Sequence, residues 1–278
     1  MNFPLQSVTS IPPIRAIDVG ASPIDGAPPY QPLLSRGGLE VVGFEPSPKQ
    51  FDALQAAPVP GCTFLPHAVG DGSEGTLRIC RAPGMTSLLE PDLDVLRHFH
   101  VLGECAEVLD RIPMQTKRLD DMPEVAGSDY LKVDVQGSEL NVLRGASRLL
   151  ESLTVVHIEV NFVPFYKDQP LFAELDQELR GAGFFLHKFL PLISRVFKPL
   201  ILNKDPYAGL SQVLWTDAVY VRRFTELDVL DDAQLLKTAR IAHEAYGSFD
   251  LCGLLLHTHD QRNEGGLYDS YLARFGGA

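Results

Sequence analysis

The stretch "DYLKVDVQGSELNVLRGASRLLE", residues 129–151, joins a strand pattern to a helix pattern. Residues 129–135 form a short, largely apolar run, which predicts a buried β-strand. The helix predicted over residues 138–151 has Leu140, Leu143 and Leu150 near one face. A strand followed by an amphipathic helix is the unit from which α/β proteins are built.

The same alternation extends in both directions from this stretch. Further strands are predicted at 14–19, 39–45, 62–69, 75–80, 154–162, 184–189 and 217–223. Helices are predicted to begin near Tyr30 and at Pro170, and two excursions, 82–113 and 190–216, are longer than ordinary connections. Strands that alternate with helices predict an α/β fold of the Rossmann-like type, with a mostly parallel seven-stranded sheet and helices on both faces.

The last fifty or so residues differ in character from the rest. "DDAQLLKTARIAHEAYG", residues 231–247, offers Asp231 as an N-cap, a glutamine three residues later and a glycine stop, which together predict a helix. We therefore expect a domain over residues 1–224 and a small helical C-terminal appendage over residues 225–278. Self-association through this appendage stays open.

Composition and charge favour some classes of partner and exclude others. The chain has 278 residues, 45% of them hydrophobic, and a formal net charge of -12. Such a charge repels phosphate backbones and anionic lipid, so we expect no nucleic-acid or membrane partner. The N-terminal residues lack the features of a signal peptide, which favours a cytoplasmic location. The four cysteines are widely spaced and are expected to be reduced thiols.

Polar residues stand where two of the predicted strands end. Asp18 and Gly20 follow the first strand, and Glu45 ends the second, 27 residues after Asp18. In doubly wound sheets a ligand binds beyond the strand ends, and an acid at the second strand can bind the hydroxyls of a ribose. A turn that caps the strand is the structural alternative for Asp18. The glycines do not follow GxGxxG, which argues against a dinucleotide.

Several motifs of this chain resemble those of the FkbM family of S-adenosylmethionine-dependent methyltransferases. They are "DVGAS", "VVGFEPSPKQF", "LPHAVGDGSEGTL", "MTSLL", "TKRLDDM" and "DYLKVDVQGSELNVLRGA". The resemblance covers roughly residues 15–221, and "LKVDVQGSE" is its most specific part. It implies a class I methyltransferase sheet and S-adenosylmethionine as cofactor. The chain departs from the common family pattern in the insertion "SPIDGAPP" and in Gln136, where glutamate is frequent.

The resemblance also implies which residues contact cofactor and substrate. Cofactor contacts are expected, from the methionine end to the adenine end, at Asp134, Asp18, Gly20, Ala21, Glu45, Pro46, Ala68 and Val69. Thr86 and Ser87 match a family loop that lies over the site, although a helix N-cap is an equal alternative.

Candidate catalytic residues lie on or just after the fourth and fifth predicted strands: Lys132, Asp134, Glu139, His157 and Glu159, with a cap in the first helical turn as the alternative role of Glu139. Residues two apart face the same side of a strand, so Lys132 neighbours Asp134 and His157 neighbours Glu159. We expect Asp134 to position substrate or cofactor and either His157 or Glu159 to act as base. Alternatively, Lys132 and His157 have structural roles. A divalent cation held by Asp134 and Glu159 is a minority alternative, since no complete ligand set is apparent.

The expected function is methyl transfer from S-adenosylmethionine to a hydroxyl of a small-molecule acceptor, either a sugar or a secondary metabolite. Two other hypotheses stay open. One is a scaffold protein that keeps the fold without turnover, and the other is a nicotinamide-dependent oxidoreductase, which the glycine pattern disfavours.

Overall fold

The computed structural model describes residues 5–7, 9–22, 24 and 26–274. Its strands are β1 (Ile14–Val19), β2 (Leu39–Phe44), β3 (Cys62–Leu65), β4 (Glu74–Cys80), β5 (Val108–Gln115), β6 (Tyr130–Val133), β7 (Val155–Asn161), β8 (Phe184–Phe189), β9 (Ile193–Arg195) and β10 (Gln212–Arg222). Its helices are α1 (Gln31–Ser35), α2 (Pro48–Ala56), α3 (Leu93–Leu96), α4 (Leu102–Cys105), α5 (Glu139–Arg144), α6 (Phe172–Gly181), α7 (Asp232–Tyr246), α8 (Phe249–Asn263) and α9 (Leu267–Ala273). Of the insertion "SPIDGAPP", Pro23 and Asp25 lie outside the described residues.

The main sheet has the strand order β3-β2-β1-β6-β7-β10-β8, with β9 paired to the start of β10. The first five strands in this order, β3, β2, β1, β6 and β7, run parallel to one another. Strand β10 runs antiparallel to β7 and to β8. The predicted fold class is confirmed. The strand order reverses between β1 and β6, and in an open α/β sheet the crevice at such a switch point is where ligands bind.

The C-terminal helices cover one face of this sheet. Apolar side chains of β1, β6, β7 and β10 share one buried cluster with those of α7 and α8, including Leu235 and Leu255. Asp231 caps α7 through the amide of Gln234, and Gly247 ends it in a left-handed conformation. The C-terminal helices therefore pack against the sheet and share its hydrophobic core. The domain boundary at residue 224 stays a prediction.

The structure differs from the sequence-based elements in several places. Strand β3 ends at Leu65 because Pro66 follows it, and β4, which precedes the first excursion, pairs with β5 at the end of that excursion in a separate two-stranded sheet. The helix expected over 138–151 ends at Arg144, where a Cβ on Gly145 would lie 2.0 Å from the carbonyl oxygen of Gly70. Helix α6 begins at Phe172, so Pro170 precedes the helix.

Among the described residues, no helix combines the length and the apolar character that crossing a membrane requires.

Candidate functional site

A cavity lies at the switch point between β1 and β6, beyond the carboxyl ends of the strands. Its volume is about 220 Å³. Of the sequence-predicted residues it brings together the following: Gly20, Glu45, Pro46, Ala68, Val69, Thr86, Ser87 and Asp134. Asp18, Ala21, Lys132, His157 and Glu159 lie outside its lining.

Asp18 is buried behind the cavity and has two protein partners. The hydroxyl of Tyr30 donates to Asp18 Oδ2 at 2.6 Å, and Lys132 Nζ lies 3.1 Å from Asp18 Oδ1. Lys132 also donates to the carbonyl oxygen of Gly20 at 3.3 Å. Burial lowers the pKa of the Lys132 ammonium, but the carboxylates of Asp18 and Asp134 outweigh this effect and raise it. The Lys132 ammonium therefore stays charged and fixes the first loop to β6.

Gly20 is required by packing within the protein. Its φ is +81°, and a Cβ at this position would lie 1.8 Å from the carbonyl oxygen of Asp134. The amides of Gly20 and Ala21 both donate to the carbonyl of Phe44, at 3.0 and 3.1 Å. This close approach brings the end of β1 against the end of β6, and it leaves the backbone of Gly20 facing the cavity.

Glu45 lies on the cavity wall at the end of β2. Ser47 donates its amide to Glu45 Oε1 at 2.8 Å. Burial raises the pKa of the Glu45 carboxyl to about 7, although the amides of Ser47 and Ser22 oppose the shift. A buried carboxyl on the wall of a cavity suits a ligand that brings hydroxyl groups.

Part of the cavity wall is apolar. It includes Ala68, Val69, Phe44, Leu77, Ile79 and Leu109. An apolar slot beside one acid has the chemistry that a nucleoside needs, because the base is flat and the ribose carries hydroxyls. The residues present therefore fit the expected cofactor.

The loop after β6 is held by Glu139 in the first turn of α5. Its Oε1 accepts from the amides of Val135 at 3.1 Å and Gly137 at 3.0 Å. Burial raises the pKa of the Glu139 carboxyl to about 7, although these hydrogen bonds lower it. Gln136 takes a left-handed backbone conformation, with φ +56°. A strained non-glycine residue persists only where its surroundings fix it, and here Glu139 supplies part of that constraint.

The side-chain amide of Gln136 lies between two carboxylates. Its Nε2 donates to Asp134 Oδ1 at 2.9 Å and to Glu159 Oε2 at 3.1 Å, and its Oε1 accepts from the hydroxyl of Tyr166 at 3.2 Å. A glutamate here would have no donor for either acid. Gln136 therefore links the side chains of Asp134 and Glu159 through its amide.

Replacing Gln136 with glutamate is expected to lower the free energy of unfolding at pH 8 by about 1–3 kcal/mol, since two hydrogen bonds become carboxylate repulsion. The neighbouring acids raise the pKa of the new carboxyl above its unfolded value. Its folded form therefore takes up a proton as the pH falls, and the loss should shrink by pH 5. Denaturant unfolding at both pH values measures this. The exposed substitution Gln177→Glu on α6 is the control, and an equal loss at both pH values would contradict the expectation.

His157 is enclosed on the sheet face that α7 covers. Its Nδ1 lies 3.0 Å from the hydroxyl of Tyr246, and its Nε2 lies 3.4 Å from Asp217 Oδ2. Tyr246 also shares a hydrogen bond of 2.7 Å with Tyr130. Both ring nitrogens thus have protein partners, and the ring is 2% exposed.

Asp217 is a site residue that sequence reasoning missed. It pairs in register with Glu159 across β7 and β10, and its side chain is 39% exposed whereas Glu159 is buried. Burial raises the pKa of Asp217, but the hydrogen bond from His157 outweighs this and lowers it. The only signal in the sequence is its place at the start of a predicted strand. Together with Asp134 and Glu159 it forms a cluster that we call the acid row.

Thr86 and Ser87 lie on the cavity wall but bond within the protein. Ser87 Oγ donates to the carbonyl oxygen of Gln136 at 2.6 Å, and Thr86 Oγ1 accepts from the amide of Cys80 at 3.2 Å. The helix after this loop, α3, begins only at Leu93 and is capped by Asp92. Ser87 therefore fixes the first excursion to the loop that carries Asp134, and Thr86 fixes it to the end of β4.

Within the described ranges, no group of three or more His, Cys, Asp or Glu side chains has an arrangement that could hold a metal ion.

A comparison with protein families identifies one family for this chain. The model of the methyltransferase FkbM domain matches residues 18–186, more than half of the chain. The chain resembles the solved structure of methyltransferase FkbM from Methylobacillus flagellatus KT at 16% identity and a TM-score of 0.41, over 75% of this chain and 43% of that one. It thus spans less than half the length of that relative.

Two further solved structures are similar. Magnesium protoporphyrin IX methyltransferase (ChlM) from Synechocystis PCC 6803, with bound SAM, is 13% identical with a TM-score of 0.39, over 78% of this chain and 74% of that one. A putative methyltransferase from Thermoplasma acidophilum is 8% identical with a TM-score of 0.39, over 76% and 69%. A comparison with curated proteins found no match.

Proposed function

Because the chain belongs to the FkbM methyltransferase family, we propose that it transfers a methyl group from S-adenosylmethionine to a hydroxyl oxygen of a sugar or a secondary metabolite. One cavity joins Glu45, the apolar segment at Ala68 and Val69, and the backbone of Gly20 and Asp134. This conjunction is the strongest support for the proposal. The acid suits a ribose, the apolar segment suits an adenine, and the strand ends suit the methionine part.

When bound, S-adenosylmethionine supplies an electrophilic methyl group. The chain's own task is to align an acceptor oxygen with it and to remove the hydroxyl proton. In our proposal Asp134, which lines the cavity and has a side chain 22% exposed, accepts a hydrogen bond from the acceptor and orients it. Glu159, linked to Asp134 through Gln136, takes the proton.

His157 has a different role in this proposal. The Tyr246 hydroxyl and Asp217 engage its two ring nitrogens, so it orients Asp217 at the rim of the acid row. Lys132, bonded to Asp18, holds the first loop and offsets part of the negative charge near Asp134, from which its Nζ lies 3.9 Å. Both then act as positioning residues.

Binding of S-adenosylhomocysteine is expected to weaken about tenfold from pH 8 to pH 6, because a carboxyl with a pKa of about 7 is mostly protonated at pH 6 and a protonated Glu45 is a poorer acceptor for hydroxyls. Calorimetric titration of the purified chain measures this. Glu45→Gln should bind weakly at both pH values, while Glu40→Gln, exposed on the same strand, should behave as the parent does. Binding of equal strength in the Glu45→Gln variant would remove Glu45 from the site.

The acceptor chemistry needs a separate measurement. A labelled methyl group from S-adenosylmethionine should enter a pool of hydroxylated metabolites and glycans and appear as a methyl ether. Transfer to nitrogen or carbon would contradict O-methylation. Tight cofactor binding without transfer to any pool would favour the scaffold hypothesis.

A further inference from the structure

One segment between two strands of the main sheet is unusually apolar at its surface. We call residues 190–211, between β8 and β10, the flap. It carries six of the thirteen large hydrophobic side chains that are exposed in the described part of the chain, in only 22 residues. They are Leu192, Phe197, Leu200, Ile201, Tyr207 and Leu210, each between 46% and 61% exposed. Single exposed apolar residues are ordinary, but such a concentration marks an interaction surface.

The flap is folded and projects outward from the sheet. Its first residues form β9, which pairs with β10, and the amide of Val196 continues the pairing by donating to the carbonyl of Ala208 at 3.2 Å. Beyond this pair, turns close at Phe197–Leu200 and at Leu202–Asp205. The tip therefore holds Phe197 and Tyr207 on either side of the last pair, with the exposed Leu200 and Ile201 between them.

The charge of the flap is opposite in sign to that of the whole chain. It contains Arg195, Lys198, Lys204 and one acid, Asp205, which gives a net charge of +2 in a chain of -12. Lys198 and Lys204 are exposed beside the apolar tip. Arg195 lies between two rings, 5.1 Å from Trp215 and 5.9 Å from Tyr207. Exposed apolar side chains interspersed with lysines are the composition of a surface that binds anionic lipid.

The flap also contacts the excursion that lines the cofactor cavity. Phe197 stacks on Phe99 with ring centroids 5.0 Å apart, and His100 Nε2 lies 2.9 Å from the carbonyl oxygen of Leu200. The same excursion contributes Pro83, Thr86 and Leu109 to the cavity wall. A partner that binds the flap therefore lies beside the excursion that lines the cavity.

The net charge of the whole chain predicts no membrane partner, but the flap has the opposite charge. We propose that it docks the protein on an anionic lipid surface, with Phe197, Leu200 and Ile201 in the interface and Lys198 and Lys204 against the headgroups. A second copy of this chain is a poorer occupant. In a symmetric dimer through this face, the lysines of one flap would oppose those of the other, and like charges repel. The acidic remainder of the chain orients the molecule, because it is repelled by the lipid that attracts the flap.

Sedimentation with lipid vesicles tests this proposal on the full chain. The protein should sediment with vesicles of phosphatidylcholine mixed with phosphatidylglycerol, less with phosphatidylcholine alone, and less again at high salt. The double substitution Leu200→Ser with Ile201→Ser, and separately Lys198→Glu with Lys204→Glu, should each reduce the bound fraction about tenfold. Val229→Ser, which removes a 66% exposed side chain outside the flap, and Lys167→Glu are the matched controls.

Two results would overturn the proposal. One is no binding to either vesicle, and the other is equal binding by parent and flap variants. If light scattering then shows a dimer that the flap variants dissociate, the occupant is a second copy. Circular dichroism confirms that each variant is folded, and titration with S-adenosylhomocysteine reports on the cofactor site independently of lipid.

Discussion

Replacing Asp18 with alanine is expected to lower the free energy of unfolding by about 3–5 kcal/mol, because it leaves the buried ammonium of Lys132 without its closest partner. The Nζ of Lys132 lies 3.1 Å from Asp18 and 3.9 Å from Asp134, so the second acid compensates only in part. The hydroxyl of Tyr30 also loses its acceptor in the core. Guanidinium unfolding of the parent and the variant measures the loss.

A double substitution separates this ion pair from other effects. Adding Lys132→Met to Asp18→Ala removes the unpaired charge and keeps an apolar side chain of similar length. At least half of the lost stability should return, while binding of S-adenosylhomocysteine should stay weak, because Lys132 no longer holds the carbonyl of Gly20. If the losses of the two single variants simply add in the double variant, the two side chains are not coupled and the expectation is wrong.

Replacing Gly20 with alanine is expected to destabilise the fold by about 3 kcal/mol or more, because two costs add at this position. A left-handed backbone conformation costs an ordinary residue about 1–2 kcal/mol. The new Cβ would in addition meet the carbonyl oxygen of Asp134 at 1.8 Å, so that β1 and β6 must separate at the site. Denaturant unfolding gives the stability, and calorimetry should show that binding of S-adenosylhomocysteine is lost.

Gly37 provides a matched control for this substitution. Its φ of +77° is close to that of Gly20, but a Cβ there would meet no atom within 4 Å. Gly37→Ala therefore measures the backbone cost alone, about 1–2 kcal/mol. Equal losses in the two variants would mean that the contact between Gly20 and Asp134 relaxes without cost.

The sequence pattern predicts the sheet and the strand ends well, since both depend on local order. Asp18 and Glu45 follow short apolar runs, and runs of this kind are recognisable without any partner. Strand β5 escapes prediction because its apolar and polar residues do not alternate regularly, Pro113 interrupts it, and it gains its regular structure only by pairing with β4.

Partners that are distant in sequence explain the rest of what sequence reasoning missed. Lys132 is 114 residues from Asp18, and Tyr246 is 89 residues from His157, so no local pattern contains either pair. Asp217 pairs with Glu159 only because β10 enters the sheet between β7 and β8. A periodic pattern involves only residues that are close in sequence. It therefore cannot predict that the members of the acid row come together in the fold.

The order of elements along the chain has a consequence for how this molecule folds during synthesis. Strand β1 lies at the centre of the sheet, yet the helices that cover its face, α7 and α8, come more than 210 residues later. The amide of Leu5 even donates to the carboxylate of Glu244 across 239 residues. While a ribosome is still adding those helices, the central strands expose apolar surface that chaperones bind. The face that carries His157 and Asp217 closes only after the last helices have docked.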